Sequence, residues 1–475
     1  LTGTGRFFYY KLKCWGCELN DSLTPTFIIR SPWEFNEDIC SNMLPQIVYT
    51  AHSNGLMYHA VGHGFTCEAY GVPSLGWLEL DWPDEYIDVL AQRNGKRDLS
   101  WNMPLISALC YSREDVQKRI IDYAVNYIEE HPEIDYLHFW LDDGHNNKCE
   151  CDRCKNIKIA DLYIKMLNTL DYELTKRGLN TKIVFLAYHE LLWTPDKEKL
   201  KNPNRFTFMF APIQRSFLQP LPLIEEAGEP KKYNLNKQPF PQNNYEMAAH
   251  LKAWTEYRKM VGMSLSDSFD FDYYLNDYND PGQFIQTRLI YEDIQNLKKN
   301  GLGGLINCQS QRLFDHAALP QYVMARALQQ PELSLDEIVD EFFFGAFGNN
   351  YEVYKKEWLK LTEASAPLRD KENMEFDKLK EVLAAPLPEE QCKDLTTSHS
   401  RKLMKFTKEL FLMLTDMTEQ AVLGNDEKVK EIQEKINRYT SEKESEFIIE
   451  LDRNYFKGAM ERLLKEKLDK ENLDD

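Results

Sequence analysis

Asp142-Asp143-Gly144-His145, followed at once by Cys149-Glu150-Cys151 and then Cys154, crowds acids, a histidine and thiols into one short stretch. Acids recur at Glu190, just after Tyr188-His189, and at Asp267, Asp270 and Asp272, just before Tyr273-Tyr274. Cleaving a glycosidic bond requires these residue types: one carboxyl keeps its proton for the leaving oxygen, and a second acts as nucleophile, base or orienting group. Neighbouring carboxylates in a low-dielectric cleft push their pKa values apart, which supplies both states near neutral pH. Asp142 and Asp143 are adjacent, and on an ideal strand adjacent side chains point to opposite faces. One of the two can instead cap the turn that follows.

Histidines and tyrosines form a second set. His63 and His145 each stand beside a glycine, while His59, Tyr188, His189, Tyr273 and Tyr274 are further candidates for binding hydroxyl or acetamido groups. Trp193 and Tyr274 are candidates for the floor of sugar subsites. Asp270, Gln309 and Arg312 complete the binding set. The third set is Cys149-x-Cys151-x-x-Cys154, because bunched thiolates suit tetrahedral zinc. Cys110 is the first candidate for a fourth ligand, then His145. A closed four-ligand site would be structural, holding the loop that carries Asp143. A disulfide within the loop, or free thiols, are the alternatives. Cys14-Trp-Gly-Cys17 is a lone pair without a redox context. No organic cofactor is required.

Strand candidates that could position these groups alternate with helices. Phe7–Lys13, Met57–Gly64, Leu105–Tyr111, Tyr136–Leu141, Lys182–Tyr188, Phe206–Phe210, Ser264–Tyr274 and Gly304–Arg312 read as strands. Asn36–Asn54 reads as a helix, and Ser112-Arg-Glu-Asp115 offers a capping box to the helix that carries Val116, Ile120, Tyr123, Ala124, Tyr127 and Ile128 on one face. A second amphipathic helix carries Ile159 through Leu174 and stops at Gly178. Repeated βα units mean a parallel sheet, and eight of them fit a (β/α)8 TIM barrel, here residues 1–348. Residues 349–475 read as a mostly helical C-terminal region, with a linker-like stretch near 366–400. No Gly-x-Gly-x-x-Gly follows the first strand and no phosphate-binding loop is present, which disfavours a dinucleotide or P-loop fold.

The 475 residues are too many for one ordinary core but suit a barrel with an appendage. Lys+Arg 57 against Asp+Glu 76 gives a net charge of −19, which argues against nucleic acid or anionic membrane as main partners. No apolar run is long enough to span a bilayer. The chain begins at Leu1 and shows no signal segment, so a trimmed or mature form is expected.

Asn94-Gly-Lys-Arg97, Leu109-Cys110-Tyr-Ser ahead of a helix, Asp143-Gly, Cys149-Glu-Cys151-x-x-Cys154 and the Ala187-Tyr188 strand end together resemble the domain of unknown function 4838, over roughly Met57 to Phe347. Members of that group founded glycoside hydrolase family 163. The resemblance implies a (β/α)8 hydrolase, commonly exported by Bacteroidetes and reaching its glycan in the periplasm, at the cell surface or after secretion. It also implies retaining endo-β-N-acetylglucosaminidase activity on complex N-glycans, with the acetamido oxygen of the substrate as nucleophile. Related acetamido-assisted barrels place an Asp-Glu pair after the fourth strand, where this chain has Asp142-Asp143. On that reading Asp143 orients the acetamido group and Glu190 is the general acid/base, with the reverse assignment open. The rival readings are an exo-acting, uronic-acid-removing glycosidase with a basic pocket at Arg215 or Arg312, a non-catalytic carbohydrate-binding barrel, and a metal-dependent hydrolase. The partner expected on every reading is an oligosaccharide or glycoprotein glycan; oligomeric state is open.

Overall fold

The structure, a computed structural model, describes residues 12–18, 25–29, 48–49, 52–53, 57–74, 78–274, 286–308, 315–364, 375–387, 395–447 and 451. Gln309, Arg312, most of the strand expected at 7–13 and most of the helix expected at 36–54 lie outside the described residues.

Eight strands join in one ring: β1 (Leu12–Glu18), β2 (Pro25–Ile29), β3 (Met57–Gly62), β4 (Tyr136–Phe139), β5 (Lys182–Ala187), β6 (Phe206–Phe210), β7 (Ser268–Asp272) and β8 (Gly304–Cys308). From β2 to β8 each strand runs parallel to the next, whereas β1 is antiparallel to both β2 and β8. The fold is therefore mixed α/β, but the regular eightfold (β/α)8 repeat is not what these strands make. Only residues 19–24 separate β1 from β2, too few for the helical crossover that parallel neighbours need. One strand expectation is corrected as well. Leu105–Tyr111 is not in the ring: Pro104–Ile106 is a 3-10 turn, Ser107 Oγ accepts from the Ser100 N–H, and Leu109 makes only an isolated antiparallel bridge to Leu90. Proline at the head of that segment has no N–H for a ladder. The missing strand is β2.

Alternation along the strands separates two apolar layers. Val184, Leu186, Met209, Phe269, Phe271 and Ile306 meet inside the ring. Ile183, Phe185, Phe206, Phe208 and Phe210 face outward onto helices α1 (Glu114–Glu130), α2 (Ile159–Lys176), α3 (Asn244–Met260), α4 (Gln286–Leu297) and α5 (Asp315–Gln329). α1 buries the face expected of it, Val116, Ile120, Ala124 and Ile128 among others, but its N-cap is Arg113 with no side-chain cap. Ser112, the expected cap, turns its hydroxyl to the Cys154 sulfur at 3.0 Å. α2 ends as the glycine predicts: Gly178 takes φ +72°, and the Leu179 N–H reaches back to the Leu174 carbonyl at 2.9 Å.

The C-terminal helices α6 (Leu335–Phe347), α7 (Tyr351–Ala364), α8 (Phe376–Ala384), α9 (Leu395–Val422) and α10 (Asp426–Lys443) share one continuous apolar cluster with the outer layer of the ring. α8 corrects the linker expected near 366–400, because Leu379 and Leu383 give that charged stretch a buried face. Among the described residues no helix is long and apolar enough to cross a membrane.

Away from the rim, burial holds down the pKa of His59 and His250. His59 lies inside the ring, stacked on Tyr136 at 4.3 Å with Nδ1 2.9 Å from His138 Nε2, and burial pushes it down to about 3. His250 on α3 is pushed down to about 4, again chiefly by burial. The unfolded chain takes up protons at both positions below about 6.5 while the folded chain does not, so stability falls as pH drops through the window from about 6.5 to 4. The loss reaches up to about 1.4 kcal/mol per pH unit for each histidine. Urea unfolding at pH 5 should show a lower midpoint than at pH 7, with a smaller difference in His250→Gln. Equal midpoints would contradict this account.

Candidate active site

The carboxyl ends of the parallel strands carry every rim residue considered below. Behind β4, Asp142 is fully buried and used up by structure. Its Oδ2 accepts from Tyr111 Oη at 2.9 Å; its Oδ1 accepts from Lys148 Nζ at 2.7 Å, Asn147 Nδ2 at 3.1 Å and the Gly144 N–H at 3.3 Å. Gly144 must be a glycine, since a Cβ there would collide with the Ile106 carbonyl and the Asn147 amide. Lys148 folds back under the loop, donating also to the Gly144 carbonyl and Asn147 Oδ1, each at 2.8 Å. Asn236 clamps its backbone from both sides.

Glu190, behind β5, faces the same lysine. Its side chain is 1% exposed; Oε1 accepts from the Asn146 N–H, and Oε2 stands 3.7 Å from Lys148 Nζ without a hydrogen-bond partner. Burial works against the Lys148 charge, but Asp142 and then Glu190 outweigh it, so its pKa is raised. Asp142, Lys148 and Glu190 thus form a buried acid–base–acid triplet that pins the β4 loop to the β5 loop. Glu190 is thus buried against Lys148 rather than open to the rim, where the acid/base role expected for it would place it.

Asp143 differs from both. It and His63, each 13% exposed in the side chain, meet at 3.2 Å between Asp143 Oδ1 and His63 Nε2. The other ring nitrogen of His63, Nδ1, lies 2.6 Å from the Leu141 carbonyl, which can only accept. Nδ1 is therefore the donor in that bond, and Nε2 faces the Asp143 carboxyl. A carboxyl and an imidazole nitrogen at this distance are placed to pass a proton between them. Gly62, at φ +136°, supplies the turn into this loop and lets the Trp140 ring approach to 3.0 Å of where a Cβ would stand. Trp140 in turn packs edge-on against His63, with ring centres 4.8 Å apart.

Around this pair stand half-buried Tyr188, 5.9 Å from His63, and His189, 3.8 Å from Tyr188 between ring centres. Exposed His145 lies 5.0 Å from His189. His189 adopts φ +48°; Gln214 Nε2 donates to its Nδ1 at 2.7 Å, and burial first of all pushes it down to about 3. Four expected binding residues fall elsewhere. Phe269 and Phe271 point inward, so Asp270 and Asp272 point outward. There Arg215, wholly buried, pairs with Asp272 at 2.7 Å and with Asp293 of α4 at 2.8 Å, and Tyr274 Oη donates to Asp293. Burial and then neighbouring Asp272 push Asp270 well above the usual carboxylate range. Asp270, Arg215 and Tyr274 thus belong to a charge cluster behind the sheet. Trp193 is also buried, its Nε1 donating to the Lys231 carbonyl at 2.7 Å. Arg215 therefore supplies no basic pocket at the rim.

Lys148, Tyr111 and Trp140 are the residues that sequence reasoning did not single out for the site. A lysine between Asn147 and Cys149 in a polar loop carries no local sign of burial; only the folding of the loop over Asp142 buries it. Cys110, Cys149, Cys151 and Cys154 are brought together beneath the same loop.

A family model described as "Domain of unknown function (DUF4838)" matches residues 17–360, and the chain belongs to that family. No curated protein matches the chain. Among solved structures, a mutant of the Thermobaculum terrenum O-GlcNAc hydrolase is similar at 11% identity, covering 93% of this chain and 87% of that one, with a TM-score of 0.39.

Proposed function

We propose that this member of the DUF4838 family hydrolyses glycosidic bonds at the strand-end rim of the ring, with Asp143 and His63 as its proton-transfer pair. The observation that carries the reading is the 3.2 Å approach of Asp143 Oδ1 to His63 Nε2, beside Trp140 and Tyr188, at the position where such folds place their chemistry. Of the three acids behind β4 and β5, Asp143 alone keeps access to water. Neither Asp142 nor Glu190 is placed to attack a sugar, which suits a substrate that brings its own nucleophile.

On this reading the substrate is a β-linked 2-acetamido sugar, and the finer assignment is an exported endo-β-N-acetylglucosaminidase acting on complex N-glycans. The pair delivers its proton to the glycosidic oxygen as that bond breaks, while the acetamido carbonyl oxygen of the substrate bonds to the anomeric carbon. Water then attacks that carbon, giving its proton back to the pair, and the ring-closed intermediate opens with the anomeric configuration retained. His63 cannot swing away, because Nδ1 is tied to the Leu141 carbonyl. A thiazoline mimic of the ring-closed intermediate should inhibit turnover competitively. Turnover that is indifferent to that mimic would remove the substrate-assisted step, and a purely binding protein would show no turnover to inhibit.

A further inference from the structure

We propose that Cys110, Cys149, Cys151 and Cys154 hold one zinc ion in a closed four-thiolate site that fastens together the two segments beneath the rim acids. The four sulfurs lie within 4.8 Å of one another. Cys110 Sγ is 3.7 Å from Cys151 Sγ and 3.9 Å from Cys154 Sγ. A tetrahedral zinc with bonds of about 2.3 Å to sulfur sets its ligands about 3.8 Å apart, and the two Cys110 separations match that spacing. A disulfide needs sulfurs about 2.05 Å apart, and all four cysteines are unpaired.

The surroundings fit an anionic metal–thiolate centre. Gln92 donates its backbone N–H to Cys149 Sγ at 3.3 Å, and Ser112 Oγ lies 3.0 Å from Cys154 Sγ and 3.6 Å from Cys110 Sγ. The Arg97 guanidinium, anchored on the Leu90 carbonyl, stands beside the Cys110 and Cys149 sulfurs. Four thiolates around a divalent ion leave a charge of about −2, and Arg97 offsets part of it. All four tetrahedral positions are taken by protein sulfur, so no position is left for water. The ion is structural.

Its mechanical effect follows from where the ligands sit in the chain. Cys149, Cys151 and Cys154 follow the Asp142–Lys148 loop directly, whereas Cys110 is 41 residues before Cys151 and next to Tyr111, the hydrogen-bond donor to Asp142. The Asp143 N–H also bonds the Leu105 carbonyl at 3.0 Å, in the same upstream segment. One ion therefore closes a long loop and fixes the segments that position Asp143.

The test is the metal content of the full-length chain, purified without a metal-affinity step, by mass spectrometry of dissolved metals. One zinc per chain with a sulfur-only shell by X-ray absorption is expected, and Cys151→Ser should lose most of that zinc. Stripping the wild type with a chelator should lower its melting temperature, and zinc should restore it. Wild-type protein without stoichiometric zinc, with iron in its place, or with a disulfide among these four residues would overturn the proposal. Because the wild-type measurement decides the matter, a Cys151→Ser chain that fails to fold leaves the test intact.

Discussion

Asp143→Asn should lower kcat by about 10²–10⁴-fold, the range that a positioned general acid/base supplies, while leaving the fold in place. The amide is nearly the same size as the carboxylate, and its N–H can still donate to a neutral His63 Nε2, so the 3.2 Å contact survives while the transferable proton is lost. The Asp143 backbone bond to the Leu105 carbonyl does not involve the side chain. Steady-state rates and a thermal melt on the same preparation check this. Turnover within about threefold of wild type would remove Asp143 from the chemistry, since a residue acting in proton transfer is worth far more than that. A large drop in melting temperature would show instead that it is an anchor like Asp142.

Lys148→Met should produce the largest loss of stability of any single change at the site, about 3–5 kcal/mol, the cost of breaking a buried ion pair by removing one partner. The methionine fills most of the lysine volume but leaves Asp142 and Glu190, 0% and 1% exposed in their side chains, facing each other without the cation between them. Tyr111 and Asn147 still donate to Asp142, but the three hydrogen bonds that Lys148 gives to Asp142, the Gly144 carbonyl and Asn147 are lost together with the charge. Urea unfolding measures it. Adding Asp142→Asn to Lys148→Met should recover part of the loss, because residues in one network are not additive. A Lys148→Met protein within about 1 kcal/mol of wild type would mean that the pairs are too well hydrated to matter, as exposed ion pairs are. Since Lys148 also holds the Gly144 carbonyl next to Asp143, activity should fall with it.

The strands at 136–139, 182–187, 206–210, 268–272 and 304–308 were legible because a strand buried on both faces reads as a short continuous apolar run. That same property hid which face each residue takes. In Ser268-Phe-Asp-Phe-Asp272 an acid and an aromatic alternate, and nothing local says which of them looks into the ring, so Asp270 and Tyr274 were assigned to a cleft they do not reach. Pro25–Ile29 was too short to stand out from its polar surroundings, and Leu105–Tyr111 looked apolar enough to be a strand although Pro104 sets it in a turn. At the rim, Asp143 and His63 were visible through their glycine neighbours. Their pairing was not, because it depends on the Leu141 carbonyl, 78 residues from His63, holding the ring in place. Cys110 could be joined to the other three cysteines because a structural zinc needs four ligands and it stood at the end of an adjacent segment. Lys148 had no such rule to expose it.

The most direct measurement is release of glycans from a glycoprotein bearing complex N-glycans, followed by mass spectrometry, with wild type beside Asp143→Asn. The account predicts free glycans ending in a single N-acetylglucosamine from wild type, and release by Asp143→Asn reduced to a trace. Equal release by both proteins, or none by wild-type protein that is folded and binds the glycan, would contradict it.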